Sequence, residues 1–206
     1  MFLNKIINQI TFLCKSNFIL SLILFSTIIT IESKAKDFDF EKVSLGMAFQ
    51  YSIPKGDLGA FWGNSLGIGP TIQYQLSNNF SFEGSLFFSH LKPLDNDNKL
   101  NLPNIIMLNM PAGIKYYINP TSSQTQFFII NFHIGIENNT FIYTGEGSEL
   151  VRENPVESEF GVFISTGIDL FLTERFSTEL FAIVQNIFSL PENTRIYSFG
   201  IKLFYK

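Results

Sequence analysis

From about residue 41 onward the chain alternates with a period of two, and one of its two faces is almost wholly Ile, Leu, Val, Phe and Tyr. Successive side chains on a β-strand point to opposite faces, so this period reads as strand and not helix. Val43, Leu45, Met47, Phe49 and Tyr51 share one face, against Ser44, Gly46, Ala48, Gln50 and Ser52. Breaks rich in Gly, Pro, Asn and Asp divide the pattern into eight expected strands. They lie at about 41–53, 64–76, 80–91, 104–118, 125–138, 156–172, 176–187 and 195–205. No segment with a helical period and the length of a helix competes with them.

The polar face separates two kinds of all-β protein. A soluble sandwich carries charge where its strands meet water. Here that face is small, glycine-rich and mostly uncharged, while the opposite face has no charge at mid-strand. A lipid-facing surface tolerates Ile, Leu and Phe and penalises Lys or Arg at the midplane by roughly 2–4 kcal/mol. The expected fold is therefore an all-β, eight-stranded antiparallel transmembrane β-barrel, an up-and-down meander. The connections at 77–79, 119–124 and 173–175 are short, and the others are longer. That asymmetry puts the short turns and both ends of the barrel on the periplasmic side. Strand edges cannot be left bare in lipid, so the last strand is expected to pair with the first. Pro70 and Pro111 each lack a ladder donor and are expected to mark bulges or local breaks. Tyr74, Phe80, Tyr116, Phe176 and Tyr205 would form an aromatic rim at the short-turn end.

The first 35 residues read differently. Lys5 and Lys15 precede an uncharged apolar run from Phe18 to Ile31, followed by Ser33-Lys34-Ala35. The run is shorter than the roughly 20 residues a spanning helix needs, and small residues follow it. A signal peptide at 1–35 cleaved after Ala35 is expected, leaving 36–206 as the barrel; an uncleaved anchor is the alternative. The sole cysteine, Cys14, falls in this leader, so no disulfide is expected in the barrel. A net charge of −4 with no basic stripe argues against nucleic acid as a partner.

Gly67-Ile68-Gly69-Pro70-Thr71-Ile72-Gln73-Tyr74-Gln75-Leu76-Ser77-Asn78-Asn79-Phe80-Ser81-Phe82-Glu83 resembles the second hairpin of the outer-membrane protein β-barrel domain family. Pro111-Ala112-Gly113-Ile114-Lys115-Tyr116-Tyr117-Ile118 and the segment from Gly167 to Ser177 resemble its later turns, so the likeness covers about 38–206. The resemblance implies a small barrel in a Gram-negative-type outer membrane, placed there by the barrel assembly machinery and often without an assigned activity. Many members end in an aromatic residue; here Tyr205 is penultimate.

Several polar residues stand on the lumen face near one level. Gln73, Glu83, Lys115, Asp169 and Glu179 are each about four residues from a short turn, and Lys202 is four from the end. Buried charges are costly unless paired, so these six are expected to form an ionic plug that closes the lumen. His133 and Glu137 share the lumen face of the fifth strand. Ser89 and His90 are adjacent and so point to opposite faces, a poor arrangement for a catalytic dyad. No catalytic, cofactor or metal residues are assigned. The stretch from Asn139 to Pro155 reads as a polar loop. Tyr143, Glu146, Glu149, Arg152, Glu153, Glu157 and Glu159 form an acidic surface there or just beyond it. Solvation alone explains that surface; adhesion or a cation-bridged contact with lipopolysaccharide is the functional alternative.

Three functions follow in order. The first is a monomeric, non-enzymatic barrel with a structural, adhesive or surface-interaction role. The second is a lipid-modifying hydrolase or acyltransferase of the outer membrane. The third is a soluble secreted barrel binding an apolar ligand, with its faces reversed.

Overall fold

The computed structural model describes residues 39–94, 102–118, 128–144, 156–173, 175–188 and 193–206. The expected leader, together with Glu146, Glu149, Arg152 and Glu153, lies outside them. The described strands are β1 (Val43–Lys55), β2 (Ser65–Gln75), β3 (Phe80–Ser85), β4 (Phe87–Leu91), β5 (Asn104–Tyr117), β6 (Phe128–Thr144), β7 (Val156–Phe171), β8 (Phe176–Ile187) and β9 (Thr194–Tyr205). A short helix, α1 (Asp57–Phe61), follows β1.

These strands make eight staves, because β3 and β4 are two halves of one. Both pair with β2 and with β5 in an unbroken register: Gly84 opposite Ala112 below, Phe87 opposite Asn109 above. The interruption falls at Leu86, whose N–H donates to Pro70 O at 3.0 Å. Pro70 has no N–H to return the bond. Pro111, on the other neighbour, faces the same gap, while β5 itself runs through it. Both prolines thus flank one local break, and no extra residue is inserted. A bulge is not needed where the missing donors are already gathered at one point.

Each stave pairs antiparallel with the next, and β9 returns to β1 from Leu45↔Tyr205 to Lys55↔Arg195. The register once round the cylinder runs Leu45, Ile72, Gly84, Ala112, Ile136, Val162, Asn186, Arg195 and back to Lys55. The path comes back ten residues further along β1. For eight staves that stagger tilts the strands by about 40° and sets a backbone radius of about 8 Å. A cylinder of that width is filled by side chains.

Glycines on the lumen face permit close approach of neighbouring strands. Gly113 and Gly135 are register partners, and a β-carbon on either would run into backbone of the other strand. The turn after β2 is tight, with Ser77 N–H donating to Phe80 O at 3.0 Å. After β7, Thr173 Oγ1 accepts from Phe176 N–H at 3.0 Å. Both turns lie at the lower end, with the start of β1 and the end of β9.

The strands extend further up than the alternation suggested. β1 continues through Pro54 and Lys55, which pair with Ile196 and Arg195, and β6 continues from Asn139 to Thr144, paired on both sides as far as Ile142 and with β5 alone beyond it. Backbone pairing with a neighbouring strand, not side-chain polarity, decides where a stave ends.

The outer surface is apolar: Leu45, Ile72, Phe132, Ile134, Ile164, Leu180 and Phe199 are all exposed. At the lower rim Phe80 meets Tyr116 and Phe176 meets Tyr205, each pair with ring centroids 5.1 Å apart.

Candidate functional site

The barrel interior is stacked in three levels, and the lowest is ionic. Lys115, Glu83 and Glu179 are between 0% and 1% exposed. Lys115 Nζ lies 2.8 Å from Glu179 Oε2 and also pairs with Glu83. Lys202 Nζ lies 2.6 Å from Glu83 Oε1 and 3.0 Å from Glu179 Oε2. Each lysine therefore touches both glutamates, in a closed quartet drawn from β3, β5, β8 and β9. The tilt explains the meeting. Residues a similar distance above the lower end on different staves come to one height, and their side chains cross a narrow lumen. Phe181 and Phe204 flank the quartet, with Lys202 Nζ 4.5 Å from the first ring centroid and Lys115 Nζ 5.5 Å from the second. Excluding water strengthens each pair while raising the cost of breaking one.

The other residues of this level stand around the quartet. His133 Nδ1 is 3.8 Å from Glu83 Oε1, and its ring meets Phe163 edge-on at 4.7 Å. Asp169 is the register partner of Glu179, so two carboxylates stand side by side. Asp169 accepts a hydrogen bond from Asn131 Nδ2 at 2.7 Å and makes no ion pair among the described residues. Gln73 Nε2 donates to Tyr117 Oη at 2.6 Å, and Tyr117 Oη lies 3.2 Å from Ser81 Oγ. Asp169, Gln73 and Tyr117 line a cavity of about 220 Å³ at the lower end, shared with Ser44, Phe204 and Lys206.

The middle level is polar, and among the described residues Glu137 is its one charged side chain. Glu137 Oε2 accepts from Gln185 Nε2 at 2.5 Å and from Asn109 Nδ2 at 3.1 Å, and Asn109 Nδ2 also reaches Asn139 Oδ1 at 2.7 Å. Gly161 makes room for the carboxylate: a β-carbon there would come within 2.8 Å of Glu137 Oε1. Across the lumen, Ser52 and Ser198 hydroxyls lie 2.8 Å apart. Phe87, Phe163, Phe181, Ile183 and Ala48 pack as one apolar cluster in the interior.

The upper level corrects the expectation that small and polar residues alone fill the inside. Leu91, Ile105, Met107, Phe141, Ile187 and Ile196 are buried together there, and Leu58 of α1 is inserted among them. Trp62 and Tyr143 pack against this cluster, with rings 6.4 Å apart. Trp62 Nε1 donates to Pro103 O at 2.9 Å, and Gly63 N–H donates to Lys92 O, so the first upper connection is tied to the second. Gly56, at φ 73°, allows the sharp bend from β1 into α1.

Above the cap, the β6–β7 tip is acidic. Tyr143 Oη donates to Glu157 Oε2 at 2.8 Å. Burial, then the Glu157 carboxylate, raises the phenol above its usual range. Burial and neighbouring Glu157 also raise the Glu159 carboxyl.

Two histidines bear on catalysis. His90 is exposed on the outer face while Ser89 is buried. His133 has a serine neighbour that the alternation did not single out, since Ser165 is its register partner on β7. No hydrogen bond joins them, and both are enclosed, with 5% and 3% exposure. Among the described residues no group of three His, Cys, Asp or Glu side chains is placed to hold a metal. Asn109, Asn139 and Gln185 were also missed; the signal for them was their lumen parity with Glu137.

No family model matches the chain, and no curated protein matches it. Among solved structures it is similar to Ail, the attachment invasion locus protein of Yersinia pestis, determined in complex with the heparin analogue sucrose octasulfate. That match has 12% identity and a TM-score of 0.51 over 79% of this chain and 96% of Ail. It is similar as well to Neisserial surface protein A, at 11% identity and a TM-score of 0.52 over 80% of this chain and 97% of that one. At these identities the likeness is one of fold: an eight-stave closed barrel resembling the small outer-membrane type.

Proposed function

We propose that this chain is a monomeric integral barrel of a bacterial outer membrane, closed to through-passage, that holds its upper connections at the cell surface for attachment or another surface contact. The observation that carries this reading is the inversion of the two faces. Large apolar side chains ring the outside, while Lys115, Glu83, Glu179 and Lys202 are buried within. A soluble protein of this size would expose the charges and bury the rings. On β9 the outward face runs from Tyr205 up to Tyr197. At about 3.3 Å per residue and a tilt of about 40° that is a climb of about 20 Å, most of an apolar band about 25 Å tall. Lipopolysaccharide would be the lipid facing the upper half, and assembly machinery would place the barrel.

A non-conducting role is supported by two barriers in series, the ionic quartet and the apolar cap. An attachment role is supported by the tied upper connections and the raised β6–β7 tip; the fold shared with Ail and Neisserial surface protein A sits well with it. The test is reconstitution. The refolded protein is expected to float with phospholipid vesicles and to give no steady current in planar bilayers. A protein that stays in the aqueous fraction would refute the membrane reading. Sustained unitary conductance would refute the closed lumen and leave the membrane reading standing.

A further inference from the structure

We propose that Lys55 and Arg195 form an outer-face site for the phosphate headgroup of a lipid in the upper leaflet, an inference that rests on the membrane reading above. The two residues are register partners at the top of the seam where β9 closes on β1. Both are exposed and both stand on the outward parity of their strands, above Tyr51 on β1 and Tyr197 on β9. Like charges directly opposite one another across a strand pair repel. Among the described residues no ion pair or hydrogen bond to either side chain offsets that repulsion. Asp57, two residues beyond Lys55, begins α1 and is paired with neither.

The surroundings favour an anion with an apolar tail over a free one. Directly below the cations on the same face come Ile53 and the exposed Tyr197, and below them the Tyr51 and Phe199 rings, 5.3 Å apart. Asn64 Nδ2 donates to Tyr51 Oη at 2.7 Å, and Asn186, the other register partner of Arg195, is half-exposed on the same face. Along the seam the order from below is aromatic and aliphatic, then hydroxyl and amide, then paired cations. That is the order of a bilayer from acyl chain to headgroup. An arginine fork and a lysine point charge together suit a phosphate, whose oxygens accept from both. Acyl chains would lie along the rings beneath.

The experiment uses the refolded full barrel, with bisphosphorylated lipid A and its dephosphorylated form as probes, read by native mass spectrometry from detergent and by vesicle flotation. Each cation near an anionic surface contributes about fivefold in binding, so the bisphosphorylated form should be held about thirtyfold more tightly. K55S/R195S should lose that preference and still float with phosphatidylcholine vesicles; K55R should keep it. Inorganic phosphate at equal concentration should not displace the lipid. Equal retention of the two lipids by the wild type, or an unchanged preference in the double variant, would overturn the site. Displacement by inorganic phosphate would overturn the lipid as its occupant. A wild type that fails to float would bring down the membrane reading and this inference with it; one that floats without phosphate preference would bring down this inference alone.

Discussion

The bottom and the top of the lumen close the same cylinder by opposite means. The bottom uses Lys115, Lys202, Glu83 and Glu179, four charges in four pairings. The top uses Leu58, Leu91, Ile105, Met107, Phe141, Ile187 and Ile196. Apolar packing is forgiving, because a neighbour can shift into a gap at partial cost. A buried ion pair is not, since losing one partner strands the other in a medium that cannot solvate it. The quartet is therefore sensitive to any slip between β3, β5, β8 and β9, and a one-residue slip would turn its members toward lipid. The cap makes no such demand, and it includes a helix from a connection. The bottom is thus suited to specifying register and the top to sealing.

The largest effect should come from breaking the quartet. Lys115→Met leaves Glu83 and Glu179 sharing Lys202, and about 3–5 kcal/mol of stability should be lost. Denaturant unfolding from vesicles measures it. Adding Glu179→Gln to Lys115→Met should recover much of that loss by restoring one cation to one anion; no recovery would mean that Lys115 matters for its packing alone. Next in size is Ile105→Ala in the cap, at about 2–4 kcal/mol. Here the informative quantity is additivity. The cap is a separate cluster from the quartet, so the double variant with Lys115→Met should lose the sum of the two within about 0.5 kcal/mol.

The middle level sharpens the contrast with a single substitution made twice. Glu137 has amide donors and, among the described residues, no ion pair, so Glu137→Gln keeps an acceptor and removes a buried charge. Stability at neutral pH should change by less than about 1 kcal/mol, or rise. Glu83→Gln removes an anion from between two lysines and should cost several times as much. If both cost the same, the level of the lumen does not determine what a carboxylate is worth.

How far these levels could be read in advance depended on which faces differed. Glu83, Lys115, Glu179 and Lys202 stood out because each is a charge on an otherwise uncharged stretch of its face, at a countable distance from a short turn or the chain end. With a stagger repeated round the barrel, equal distances become equal heights. Asp169 obeys the same count, yet it stands beside Glu179, and Asn131 takes it instead of a lysine. The count fixes height and says nothing about the order of charges around the ring. The cap was not legible for another reason. Ile105-Ile106-Met107-Leu108 and Phe141-Ile142 are apolar on both faces, so the period of two carries no contrast there. The same loss of contrast hid the upper part of β6, where Asn138 and Asn139 are adjacent polar residues and resemble the start of a loop. Leu58 lies in a segment of Gly, Asp and Trp whose fold is decided by what it covers.

The smallest effect concerns the tip above the cap, where the charge is neither paired as at the bottom nor excluded as at the top. Glu159 is half-buried beside Glu157, and both burial and that neighbour raise its carboxyl. A carboxyl raised on folding binds its proton more tightly in the folded state. Its contribution is fully present below the unfolded pKa and is lost as pH rises through the folded value. Amide exchange at Phe141 to Tyr143 and Val156 to Glu159, corrected for intrinsic rates, should therefore slow as pH is lowered from neutral into the carboxylate range. Glu159→Gln should flatten that dependence while leaving the unfolding midpoint of the barrel in place. The Tyr143 hydroxyl, itself raised and donating to Glu157, keeps its proton throughout, so Tyr143→Phe should lower protection at every pH without altering the slope. A slope that survives Glu159→Gln would assign the titration to another group and leave the tip ordered by its strand pairing alone.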